Sequence, residues 1–170
     1  MITRPDTSEY APYYHTYISK VPGDDLLQAL EQSMNETLSF FRAIPSGKWE
    51  HRYAPDKWTI KEVLQHLIDG ERVFAYRALA IARGDKTSLP GFDENEYAAN
   101  GNANQLNPEA LLAEYESVRK ATLSLFRNMS EDASRIIGTA NNNPTSARAL
   151  GFCIAGHEQH HREVVAERYL

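Results

Sequence analysis

Apolar residues recur every three to four positions through four long stretches of the chain, and the gaps between them carry proline, glycine and asparagine. That period marks a helix that buries one face. The first stretch runs from about Asp24 to Ile44, with Leu27, Leu30, Met34, Leu38 and Phe41 in phase, and Pro45 and Gly47 close it. The second opens at Thr59, where Thr-Ile-Lys-Glu makes a capping box in which the threonine side chain bonds a first-turn amide and Glu62 reaches back. It continues to Arg83, and Gly84 is the natural stop. The third opens at Asn107-Pro108, a capping residue followed by proline at the first helical position. Its apolar face holds Leu111, Leu112, Tyr115, Val118, Leu125 and Phe126, and a short turn follows at Ser130. The fourth begins near Thr145 or Ser146, after Asn141-Asn142-Asn143-Pro144, and reaches almost to Leu170.

No segment alternates in the manner of strands bounded by hairpin turns. The expected fold is therefore all-α: one four-helix-bundle domain over residues 1–170. The connection over 84–107 is too long for a tight turn and is expected to be a crossover or functional segment between the second and third helices. It contains Phe92, Asp93, Glu94, Glu96 and Tyr97. Residues 1–23 form an extended N-terminal arm with three prolines, and Tyr10, Tyr13, Tyr14 and Tyr17 suit it to packing on the body of the protein.

The fourth stretch, GHEQHHREVVAERYL, places His157 and His161 four residues apart. Residues so spaced face the same way on a helix, about 40° apart. With His157 at zero, the stripe of Leu150, Ile154, Val164 and Val165 centres near 20°, between the two histidines. Both rings therefore point inward, where an unpartnered imidazole is costly. Each is either a satisfied core histidine or half of a chelating pair. His160 falls about 60° away on the flank, which suits a supporting or interface role. His66, in WTIKEVLQHLIDGER, lies about 90° from the centre of its helix's stripe, on a side that a second neighbour can cover. Spacing alone leaves His66 open as a third ligand. Three histidines from two helices would leave a further metal position free, as catalytic sites do. Asp69, one turn on, either orients an imidazole or pairs with Arg72 at the surface.

His157 to His161 also reads H-E-x-x-H, the metalloprotease pattern with Glu158 as general base. No third ligand follows downstream, the longer H-E-x-x-H-x-x-G-x-x-H form is absent, and no strand offers an edge to an extended peptide. A protease is therefore disfavoured, and Glu158 and His160 remain only candidate acid–base groups. Cys153 sits one turn before His157, as a packing residue or as one half of a thiolate–imidazole pair. Gly151 and Gly156 allow either close helix approach or room beside a metal. Trp49 and Trp58 read as core or cap-packing residues.

Composition narrows the partners. A single cysteine excludes a disulfide framework and a multi-cysteine zinc site. The net charge of −5, with lysine and arginine scattered, argues against nucleic acid. No basic, apolar leader opens the chain and no apolar run reaches the ~18 residues needed to span a bilayer, so a cytoplasmic location without membrane contact is expected.

The segments W-T-I-K-E-V-L-Q-H-L-I-D and G-H-E-Q-H-H-R, with four helices and the long second connection, resemble the DinB-like superfamily, which includes the YfiT-type proteins. The resemblance extends from about Asp24 to Leu170. It implies a bundle with a three-histidine site for a divalent metal, usually zinc or nickel, and the family pattern falls on His66, His157 and His161. It further implies a homodimer. Some relatives are metal-dependent thiol transferases or isomerases that use low-molecular-weight thiols such as bacillithiol or mycothiol, so the expected activity is that of a metal-dependent hydrolase or thiol S-transferase on a small molecule. Fold membership alone does not imply catalysis, and a non-catalytic, metal-stabilised bundle serving as a stress-response binding module is the alternative.

Overall fold

The computed structural model describes residues 1–170. In chain order its elements are α1 (His15–Ile18), α2 (Leu26–Arg42), α3 (Ile60–Ala82), α4 (Glu94–Asn100), α5 (Pro108–Arg127), α6 (Glu131–Ser134), β1 (Ile137–Ala140), β2 (Asn143–Ser146) and α7 (Ala147–Arg168). The four long helices α2, α3, α5 and α7 make the bundle. Each starts on a polar cap: Asp25 accepts from Leu27 N, Asn107 from Ala110 N and Ser146 from Ala149 N. At α3 both halves of the capping box form, with Glu62 N donating to Thr59 Oγ1 at 3.1 Å and Thr59 N to Glu62 Oε2 at 2.7 Å.

The first long helix does not sit beside the second, nor the third beside the fourth. α2 and α3 are diagonal, as are α5 and α7, so each long helix packs on two others. Leu26 meets Gly151 and Glu36 meets Arg162, so α2 and α7 run parallel. The Tyr169 hydroxyl donates to Trp58 O while Gly138, before α7, meets Ile81, so α3 and α7 run antiparallel. Asn104, just before α5, reaches back to Glu62 and Thr59 at the start of α3, so α3 and α5 run parallel. A parallel neighbour requires the chain to return along the whole of α3, ~34 Å for 23 residues. That is why the connection over 84–107 is long. It is partly helical, carrying α4 and the 3₁₀ turn Ala103–Gln105.

Two expectations change. A short antiparallel hairpin, β1 with β2, stands where no strand was expected. Asn141 and Asn142 both take positive φ, 49° and 60°, the backbone of a two-residue hairpin turn. With four residues a side and a proline inside, it offers no period to detect. Leu89 from the long connection bonds along it, giving its N–H to Thr139 O and accepting from Asn141 N. The N-terminal arm is not simply extended: it holds two 3₁₀ turns and α1, and it buries Ile2, Tyr10, Ile18 and Val21 against the bundle.

The core is divided. One apolar cluster joins the start of α2, the end of α3 and the start of α7 to the arm; the other joins the end of α2, the start of α3, α5 and the end of α7 to Trp49. Between them every long helix contributes polar side chains at the same level: Ser33 and Thr37 from α2, Glu71 from α3, Arg119 and Thr122 from α5, and His157 and Glu158 from α7. This polar layer positions the site.

Candidate metal centre

His66 on α3 and His157 and His161 on α7 converge through their Nε2 atoms. His157 Nε2 lies 3.0 Å from His66 Nε2 and 3.0 Å from His161 Nε2, and the three nitrogens fall within 4.8 Å of one another. Donors around a tetrahedral ion with bonds of 2.0–2.1 Å stand about 3.3 Å apart. The cluster thus has the spacing for an ion after small shifts. Without one, a single ring nitrogen facing two others has one proton or one lone pair to share between them. Burial, joined by the neighbouring His160, lowers the His66 pKa to about 4, and burial likewise holds His157 and His161 well below the usual histidine value. All three are therefore neutral at pH 7, the state a ligand requires. His161 Nδ1 is buried without a partner, a departure from the usual hydrogen-bonded second nitrogen of a ligating ring.

Helix contacts explain the convergence. Gly70 on α3 faces His157, where a Cβ would stand 3.6 Å from the ring carbon Cε1. Tyr17 of α1 lies edge-on to His157 at 5.1 Å between ring centres, and it can approach so closely because Gly156 has no side chain. A Cβ at 156 would stand 2.0 Å from the Tyr17 carbonyl oxygen. Gly151 likewise admits Leu26 and Phe126. Both glycines serve close packing, and Gly156 does so beside His157.

The remaining sequence candidates separate. Glu158 turns away from the histidines into the polar layer. Arg119 Nε and Nη2 donate to Glu71 Oε1 and Oε2 at 2.8 and 2.9 Å, and Nη2 also donates to Glu158 Oε1. Arg119 Nη1 donates to Leu30 O and Ser33 Oγ, while Glu158 Oε2 accepts from the Tyr115 hydroxyl at 2.9 Å and Thr37 Oγ1 at 3.1 Å. Burial raises the Glu158 pKa, and Arg119 opposes that rise. Both of its oxygens are engaged, so the glutamate of H-E-x-x-H ties α7 to α2 and α5 and, through Arg119 and Glu71, to α3. His160 stands outside the trio, half-buried, against Tyr17 and the His161 ring. Asp93 caps α4, Glu94 reaches the cavity beside the histidines, and Glu96 and Tyr97 are exposed. Asp69 accepts from Gln65 and lies 3.6 Å from Arg72, away from the imidazoles. Cys153 is fully buried, which pushes its thiol pKa up and leaves it a packing residue.

The histidines open onto a cavity of about 260 Å³. Tyr13, Tyr14 and Tyr17 of the arm, Trp58, Phe74 and Arg77 of the α3 region, and Phe92 and Asn141 of the long connection and hairpin line it. Trp58, read as a cap-packing residue, lies 4.8 Å from the His66 ring centre. Sequence reasoning also passed over Arg119 and Glu71, although the signal is there. Arg119 falls between Tyr115 and Leu123, and Glu71 between Leu67 and Phe74, each a charge within an apolar stripe.

The sequence matches the profile of the DinB superfamily over residues 29–165, most of the chain and all three histidines. The chain belongs to the DinB superfamily. Among solved structures, YfiT from Bacillus subtilis is similar to this DinB chain with a TM-score of 0.73 at 16% identity, over 98% of this chain and 91% of that one. It is described as "a probable metal-dependent hydrolase with an unusual four-helix bundle topology". A mycothiol-dependent maleylpyruvate isomerase matches with a TM-score of 0.66 at 17% identity, over 85% of this chain and 59% of its own. At these identities the likeness is one of fold. No curated protein matches this DinB chain in sequence.

Proposed function

We propose that His66, His157 and His161 hold a divalent metal ion, zinc or nickel, and that the protein uses it on a small molecule in the adjoining cavity, by hydrolysis or by transfer of a low-molecular-weight thiol. The observation that carries this reading is the convergence of three neutral imidazole nitrogens, 3.0 Å from the central one, at the end of a cavity. A divalent ion held by three neutral imidazoles supplies Lewis acidity and a nucleophile at neutral pH. The chain does the rest. Tyr17 and Phe74 cover His157 and limit access of bulk water. The Arg119 network behind His157 fixes the rotation of α7 and so the aim of both its histidines. His160 and Glu94 are the acid–base groups that reach the cavity, since Glu158 is committed elsewhere. One fold neighbour is described as a probable metal-dependent hydrolase and one as a mycothiol-dependent isomerase, which accords with a metal and a thiol as the reagents.

The test is metal content by mass spectrometry on purified protein and on His66→Ala, His157→Ala and His161→Ala. Wild type is expected to retain a divalent ion through dialysis, and each alanine variant to lose it at least tenfold. Unchanged metal content in the α7 variants would sink the reading. Esters and lactones, set against thiol–electrophile pairs with bacillithiol and mycothiol, then separate the two chemistries. A metal-loaded protein inert to both panels favours the stress-response binding module.

A further inference from the structure

Three arginines of this chain are almost fully buried, and two are matched by carboxylates. Arg119 pairs with Glu71 and Glu158, and Arg148 pairs with Glu9. The third, Arg77 on α3, is 3% exposed and has no acidic side chain within salt-bridge distance. It donates from Nη2 to the Pro90 carbonyl oxygen, and the Tyr14 hydroxyl stands beside it. Aromatic rings flank it, with Cζ 5.8 Å from the Phe74 ring centre and 5.9 Å from that of Phe92. A guanidinium carries five donors and cannot lose its charge, so burial leaves a strong demand for an anion. Arg77 lines the cavity that holds the histidines, with Glu94 on the same cavity's lining but not in salt-bridge distance of it. Phe74 spans the gap between the two ends: its ring centre is also 6.1 Å from that of His157.

We propose that this cavity takes a small, flat organic carboxylate, with its carboxylate on Arg77, its body against Phe74, Phe92 and Tyr14, and its reacting end at the histidines. The planar fork of arginine matches a carboxylate in two parallel hydrogen bonds. At about 260 Å³ the space lies below the ~300–1,000 Å³ of drug-sized sites, which sets the size class. The aromatic walls select a planar body over a bare inorganic anion. The built position of Arg77 depends on the long connection, because Leu89 is bonded to the hairpin and thereby holds Pro90 and Phe92 over the guanidinium. The inference deepens the proposed function by naming its substrate class.

The experiment is ligand-observed NMR and calorimetry on the full chain with three probes: benzoate, its neutral relative benzamide, and inorganic phosphate. Each is measured on metal-loaded protein, on chelator-treated protein and on Arg77→Gln, Arg77→Lys and Arg77→Met. Benzoate is expected to bind at least tenfold tighter than benzamide or phosphate, with or without metal. Arg77→Gln and Arg77→Met are expected to lose that margin and Arg77→Lys to keep part of it, at unchanged thermal midpoint for Arg77→Met, which retains the packing of the stem. If the glutamine variant fails to fold, the lysine and methionine variants carry the comparison. Equal binding of benzoate and benzamide, or benzoate binding that survives in Arg77→Met, would overturn the proposal. So would benzoate binding that disappears with the metal, which would place the carboxylate on the ion. Phosphate binding as tight as benzoate would also overturn it, as an anion hole without selectivity for organic acids. Loss of metal content in none of the histidine variants would refute the metal reading and leave the chelator-treated comparison standing.

Discussion

Arg119 is fully buried, makes five hydrogen bonds to four groups from three other helices, and puts a positive charge at the centre of the polar layer. Removing one member of such a buried pair leaves the others charged and unsolvated, at a cost of about 3–5 kcal/mol. Arg119→Met is therefore expected to lower stability by about that amount in urea unfolding. A loss below about 1 kcal/mol would show that the cluster is not the structural tie described here. His157 and Glu158 make the same point from the other side. They are adjacent in sequence, yet one faces the candidate metal position and the other faces Arg119. A five-residue motif cannot distinguish those directions, because the helix periodicity that places two histidines together also places the intervening glutamate elsewhere.

At the scale of elements, caps and glycines carry the local logic. Thr59→Ala removes half of a formed capping box and is expected to cost about 1 kcal/mol by thermal or urea unfolding. Gly156→Ala puts a methyl where the Tyr17 carbonyl oxygen stands, so the arm must move off α7. The expected result is a loss of about 1–3 kcal/mol and faster proteolysis between α1 and α2, with α5 unaffected. Helix starts were legible in the sequence because caps are local chemistry, and the stripe of α7 placed His157 inward for the same reason. The ring order of the helices was not legible. It depends on which faces meet, and a single stripe does not say which neighbour covers its flank. The same gap kept His66 open on spacing alone. The hairpin escaped because Asn141 and Asn142 supply its turn while its short strands draw their support from Leu89 and Ile81 far away in sequence.

At the scale of the molecule, the arm is a strap fastened at both ends of its course. Glu9 pairs with Arg148 at the start of α7, and Lys20 pairs with Glu163 near its end. Burial would raise the Glu9 pKa, but the hydrogen bonds from Arg148, the Asp6 amide and Ser146, joined by the Arg148 charge, together outweigh it and hold the carboxyl below its ordinary 4.5. The unfolded chain therefore takes up this proton first as pH falls. The fastening is complete above about pH 4.5 and is lost as pH drops through the lower folded value. Hydrogen exchange at about pH 5 and about pH 3 is expected to show protection falling in residues 1–22 before α5. Simultaneous loss in both would refute an independently fastened strap. The family profile covers residues 29–165, whereas Tyr13, Tyr14 and Tyr17 lie outside that span and line the cavity. A fragment cut to the matched span would begin inside α2 and keep all three histidines while lacking one wall of the chamber they open into. The matched span carries the three histidines of the candidate site, and the first twenty residues shape the approach to them.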